Sequence, residues 1–175
     1  MEIEGKKDLY LIGGPMGVGK TTTCQLLKKK LDRCVFLDGD WCWDMSPFQV
    51  TVETKAMVLE NIVSLLGNFI RCPAYENIVF CWVMHRQEII EEILGRLDAS
   101  GCRVHVLSLV CSQRALRERL EKDVAAGIRT EDAIERSLER LPLYAQLDTV
   151  KVDVSELTPM QAADLIVNGP HPPIT

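Results

Sequence analysis

Residues Gly14 to Thr21 read G-P-M-G-V-G-K-T and meet every requirement of the pattern G-x-x-x-x-G-K-S/T. Gly14, Gly17 and Gly19 leave no Cβ in the way of backbone N–H groups that turn inward around an anion. Lys20 can reach β- and γ-phosphates, and the Thr21 hydroxyl can ligate Mg²⁺. Pro15, Met16, Val18 and Thr22 complete the loop and its exit. Glycine-rich turns between strand and helix are common, but this one has all the specified residues and the required context. An apolar run, Leu9 to Ile12, precedes it, and a helix-like segment follows, whose positive dipole end faces the same anion. The motif implies a nucleoside triphosphate site. A second constellation, Asp38-Gly39-Asp40, follows the apolar run Cys34 to Leu37. One carboxylate there can hold the Mg²⁺ shell through water, and the other can accept a hydrogen bond from a hydroxyl nucleophile. Turn chemistry alone also accounts for D-G-D.

Short apolar runs alternate with segments of helical period, so the elements that position these residues form an α/β fold with a mostly parallel sheet. Strands are predicted at Asp8–Ile12, Cys34–Leu37, Asn77–Met84, Arg103–Val110 and Val150–Val154. The first helix spans about Lys20 to Leu31. Ala56, Leu59, Val63, Leu66 and Ile70 share helical spacing in a second, from Glu53 to Arg71. Gln87 to Ala99 reads as a third helix. Ser112 caps a fourth, with Ala115, Leu116, Leu120 and Val124 on one face. Gly127 interrupts that helix, Thr130 restarts a fifth that reaches about Tyr144, and Thr158-Pro159 opens the last. The phosphate loop and the Asp pair both fall at the C-terminal edge of the sheet, where ligands of such sheets collect.

The 175 residues suit one domain, residues 1–170, with residues 171–175 as a tail; the proline-rich run from Gly169 to Pro173 is neither helix nor sheet interior. A net charge of −5 and a pI near 5.3 argue against a general nucleic-acid or anionic-membrane surface. The seven cysteines include no C-x-x-C pair, the N-terminus lacks an apolar signal segment, and no stretch approaches a membrane span. These features predict free thiols in a reducing cytoplasm.

On G-G-P-M-G-V-G-K-T-T at Gly13 to Thr22, D-G-D at Asp38 to Asp40, L-x-x-R at Leu116 to Arg119, and the run Val152 to Pro159, the chain resembles the small P-loop kinases of the shikimate, gluconate and adenylyl-sulfate kinase type, within the nucleoside-monophosphate-kinase-like group. The resemblance implies a three-layer P-loop NTPase fold: a five-stranded parallel sheet in order 2-3-1-4-5, helices on both faces, and a short helical lid at about residues 122–130. It implies ATP and Mg²⁺ as cofactors and transfer of the γ-phosphoryl group to a small-molecule acceptor. Carried across, Asp38 is the Mg²⁺-shell carboxylate beside Thr21, Asp40 the partner of the acceptor hydroxyl, and Arg119 the arginine that packs on the adenine. Lid cations come from Lys122, Arg129 or Arg136, with Arg129 the catalytic candidate beside Lys20. A solvated helix face is the competing reading of these basic residues, and of Arg114, Arg117 and Arg140.

One departure stands out. Many relatives carry an acidic residue in or just after strand three, whereas this strand reads I-V-F-C-W-V-M and is followed by His85, Arg86 and Gln87. The magnesium site then rests on Thr21 and Asp38. His85 suits an acceptor contact or a surface position equally. Trp41, Trp43 and Phe48 either build the acceptor pocket or pack the start of the second helix. A regulatory nucleotide switch is the competing class of function, weakened for GTP by the lack of an N-K-x-D motif. A kinase acting on polynucleotide ends is disfavoured by the acidic balance.

Overall fold

In a computed structural model, residues 6–169 are described; the predicted tail and the N-terminal signal reading lie outside them, apart from residues at their edges. Five parallel strands, β1 (Lys7–Gly13), β2 (Cys34–Asp38), β3 (Asn77–Cys81), β4 (Cys102–Val110) and β5 (Val150–Asp153), form one sheet in the order β2-β3-β1-β4-β5. Six helices accompany them: α1 (Lys20–Lys30), α2 (Val52–Arg71), α3 (Gln87–Gly95), α4 (Gln113–Ala125), α5 (Asp132–Arg140) and α6 (Pro159–Asn168). The expected fold and strand order are both present.

Strand alternation divides the core into two layers. Tyr10, Ile12, Phe36, Val79 and Leu109 pack with residues of α1, α4 and α6, while Leu9, Leu11, Leu37, Ile78 and Phe80 pack with α2 and α3. Burial on both faces explains why each central strand reads as a nearly continuous apolar run. Thr51 with Thr54, and Thr158 with Gln161, close reciprocal capping boxes at the starts of α2 and α6. The Ser112 hydroxyl accepts from Ala115 N–H at the start of α4. No helix among the described residues is long and apolar enough to cross a membrane.

Four expectations need correction. β3 ends at Cys81 rather than Met84: Trp82 N–H still donates to Ile12, but β2 stops at Asp38 beside Cys81 and Met84 has φ 31°. α3 ends at Gly95, after which Arg96 and Leu97 donate three residues back instead of four. α5 stops at Arg140 and passes into a 3-10 turn, Leu141–Gln146, because Pro142 has no N–H to continue the ladder. The face of α2 is rotated from the one expected. Val58, Ile62 and Leu66 are buried, whereas Ala56 is exposed, because apolar residues occur on more than one side of this helix.

Candidate active site

The loop between β1 and α1 has the backbone that its glycines permit. Gly14, Gly17 and Gly19 have φ of 154°, 84° and 100°. A Cβ at Gly17 would stand 2.5 Å from Leu120 of α4, so this glycine also serves close packing. Gly19 caps α1 with no side-chain hydrogen bond to the first turn, and that turn holds no acidic residue. The N-terminal N–H groups of α1 are therefore not taken by a side-chain cap, and they add positive potential at the loop.

The Lys20 ammonium donates to the carbonyls of Gly14 at 2.8 Å and Pro15 at 3.0 Å, which folds it back across the loop. Burial pushes its pKa below the usual lysine range; the charges of Asp40 and Asp38 oppose that fall, and Arg129 adds to it. Thr21 Oγ1 donates to Asp38 Oδ2 at 2.6 Å. The other oxygen of Asp38 accepts from Asp40 N–H at 3.0 Å, so this buried carboxylate both starts the 3-10 turn Gly39–Trp43 and reaches the loop. Asp38 thus has the turn role that D-G-D suggests without losing its place at the site. Asp40 is exposed, and Trp82 Nε1 donates to its Oδ1 at 3.2 Å.

In the sheet register Cys81 lies beside Asp38, at the end of the strand where an acidic residue was expected. Its contact with Cys24, together with burial, drives the thiol pKa far upward, so it stays neutral and supplies no charge. The donor set still fits a triphosphate with a hard cation: an ammonium, a helix N-terminus, a hydroxyl and a carboxylate. No group of three or more His, Cys, Asp or Glu among the described residues could hold a metal. A cation at Thr21 and Asp38 would therefore need nucleotide and water oxygens to complete its shell.

Arg119 donates to the carbonyls of Val18, Val154 and Ser155, at 3.2, 2.6 and 3.4 Å. It forms one wall of a cavity of about 230 Å³, lined also by Gly19, Thr23, Leu157 and Pro159. This slot adjoins the phosphate loop and is mostly apolar. A larger groove between α4 and α5 contains no loop residue and is lined by four carboxylates, Glu121, Glu131, Asp132 and Glu135.

Among the lid candidates, the charge of Arg129 reaches Lys20, while its Nε donates to Asp123 at 2.9 Å. Arg136 pairs with Asp132 at 3.0 Å, and Lys122 is exposed. Arg114 and Arg117 pair with Glu118 and Glu135 on the surface. Arg140 is exposed, yet its charge reaches His85 and Tyr144. Thr22 is exposed on the first turn of α1. His85 is half-buried, and burial followed by Arg140 and Arg86 lowers its pKa. Its buried Nδ1 has no hydrogen-bond partner.

Four contributors escape a local reading of the sequence. Ser137 Oγ donates to Met16 O at 2.6 Å, tying α5 to the phosphate loop. Leu120 fills the space over Gly17, Trp82 holds Asp40, and Asp123 holds Arg129. Gly127, with φ 71°, ends α4 in a Schellman arrangement: its N–H donates to Val124 and that of Ile128 to Asp123.

The sheet order and phosphate loop define a P-loop nucleotide-binding α/β protein of the small-kinase fold. More particularly, the chain belongs to the AAA domain family, which matches residues 11–138. Its backbone is similar to the tunicamycin resistance protein of Deinococcus radiodurans, with a TM-score of 0.72 and 20% identity over 97% of this chain and 100% of the other. A gluconokinase from Sinorhizobium meliloti 1021 aligns with a TM-score of 0.62 and 17% identity over 91% and 90% of the two chains. The Mycobacterium tuberculosis APS kinase, solved with AMPPNP and APS, aligns with a TM-score of 0.60 and 13% identity over 93% and 96%. No curated protein matches the sequence.

Proposed function

We propose that the protein is an ATP-dependent phosphotransferase that moves the γ-phosphoryl group to a hydroxyl or phosphate of a small molecule. The observation that carries this reading is the gathering of Lys20, the Thr21–Asp38 pair and Asp40 at one edge of the sheet. Residues Gly14 to Thr22 would hold the phosphates. The slot beside Arg119 would receive the adenine. Mg²⁺, when bound, supplies charge compensation on the phosphates, and Thr21 with Asp38 would hold it.

Asp40 would accept the acceptor's proton as its oxygen bonds the γ-phosphorus and the bond to the β–γ bridging oxygen breaks, releasing ADP. The last turn of α4 and the turn that follows it, residues 122–130, would act as a lid that excludes water and presents Arg129 to the γ-phosphate. Residues 1–170 form one catalytic unit in this reading, and nucleic acid is not a partner.

The test is ATP turnover measured alone and with a panel of acceptors. Gluconate and APS enter the panel from the similar kinases, and tunicamycin from the deinococcal resistance protein. Turnover should be negligible alone and rise sharply with one acceptor. Asp40→Asn should then cut transfer about a hundredfold while leaving AMPPNP affinity within about twofold. ATP hydrolysis that no small molecule accelerates would instead favour a regulatory ATPase.

A further inference from the structure

The surroundings of Asp40 bear on its acceptor. The indole of Trp82, 7% exposed, donates to the carboxylate, and it packs so tightly over Gly39 that a Cβ there would stand 2.5 Å from the ring. Trp43 meets Trp82 edge-on at 5.8 Å, and Phe48 meets Trp43 edge-on at 5.1 Å. Three rings in contact thus lead away from the carboxylate, and exposure rises along them until Phe48 is 59% exposed. The chain then exposes Val50 and Val52, at 53% and 81%, and Trp41 beside Asp40 is 54% exposed.

Single exposed apolar residues are ordinary. Here four of them lie within twelve residues, on a stretch that is mostly without regular structure, and the aromatic path from them ends on the candidate base. The segment from Cys34 to Thr54 has no lysine or arginine, so it offers nothing to pair with an anionic acceptor group. Of the cations near this edge, Lys20 is folded onto the carbonyls of the phosphate loop, Arg129 pairs with Asp123, and Arg86 contacts Glu88 at 3.5 Å. Ring faces at the end of a hydrogen-bonded path suit an uncharged ring or chain whose polar end reaches Asp40.

We infer that the acceptor is an amphiphilic alcohol, with its hydroxyl head at Asp40 and an uncharged aromatic or alkyl part along Trp43 and Phe48. This rests on the phosphotransferase reading above and narrows it away from fully polar polyols. The probes are n-alkyl β-glucosides from methyl to octyl, titrated below their micelle concentrations into the full chain and followed by tryptophan fluorescence and calorimetry.

Affinity should rise along the series, with octyl glucoside bound at least about tenfold more tightly than methyl glucoside. That is a low floor, because each fully buried methylene contributes roughly fourfold. Phe48→Ala should remove most of the preference while AMPPNP affinity changes less than about twofold, which also shows that the variant folds. No rise with chain length, or a rise that Phe48→Ala leaves intact, overturns the inference. So does sedimentation showing that the wild type is a dimer that Phe48→Ser dissociates, because a second copy would then cover the strip. Failure of the wild type to bind AMPPNP would count instead against the phosphotransferase reading itself.

Discussion

Gly17→Ala tests whether α4 is clamped onto the phosphate loop. Two terms contribute. Gly17 has φ 84°, and placing a side chain in the left-handed region costs about 1–2 kcal/mol. The added methyl would also stand 2.5 Å from Leu120 Cδ2 and 2.8 Å from its Cγ. Leu120 is fully buried in the layer with α1 and β4, so moving it costs on the scale of core overpacking, about 1–3 kcal/mol. Gly19→Ala is the internal control. It has φ 100° and nothing within 4 Å of its built Cβ, so only the backbone term applies. Urea unfolding, followed by tryptophan fluorescence and circular dichroism, should find Gly19→Ala destabilised by about 1–2 kcal/mol and Gly17→Ala by about 2–5 kcal/mol. In a Leu120→Ala background, itself costing about 2–5 kcal/mol, the two glycine substitutions should become equal. If they are already equal within about 0.5 kcal/mol in the wild-type background, the packing of Leu120 against the loop does not constrain it and the reasoning fails.

Lys20→Met should weaken AMPPNP binding and abolish ATP turnover while circular dichroism remains that of the wild type; unchanged affinity in a folded variant would remove the phosphate-loop assignment. Trypsin should cut at Lys122 or Arg129 in the free protein and slow markedly with AMPPNP plus acceptor, whereas equal rates would mark the α4–α5 turn as a static surface loop. The lowered pKa of His85 means that the folded state resists its protonation. Its contribution to stability is fully present above the unfolded value of about 6.5 and is lost as pH falls below it toward the folded value. Urea midpoints measured between pH 5 and pH 7 should show this slope, flattened in His85→Gln.

The phosphate loop, the strand–helix alternation and the place of the Asp pair were legible in the sequence because each depends on neighbours in the chain. Eight contiguous residues specify the loop's backbone, and apolar runs identify strands that are buried on both faces. Residue types alone do not reveal contacts between elements far apart in sequence. Ser137 and Met16 are 121 positions apart, and Trp82 and Asp40 are 42 apart; packing of the helices and strands makes each a pair. The same packing sets Arg129 after the Gly127 turn, where it pairs with Asp123 and its charge acts on Lys20, whereas Arg136 pairs with Asp132. It divided the aromatics after the Asp pair, packing Trp43 against Trp82 at the edge of the core and leaving Trp41 and Phe48 exposed, a choice that the residue types left even. It also selected the buried face of α2, since a helix that is apolar on several sides takes its orientation from the sheet beneath it.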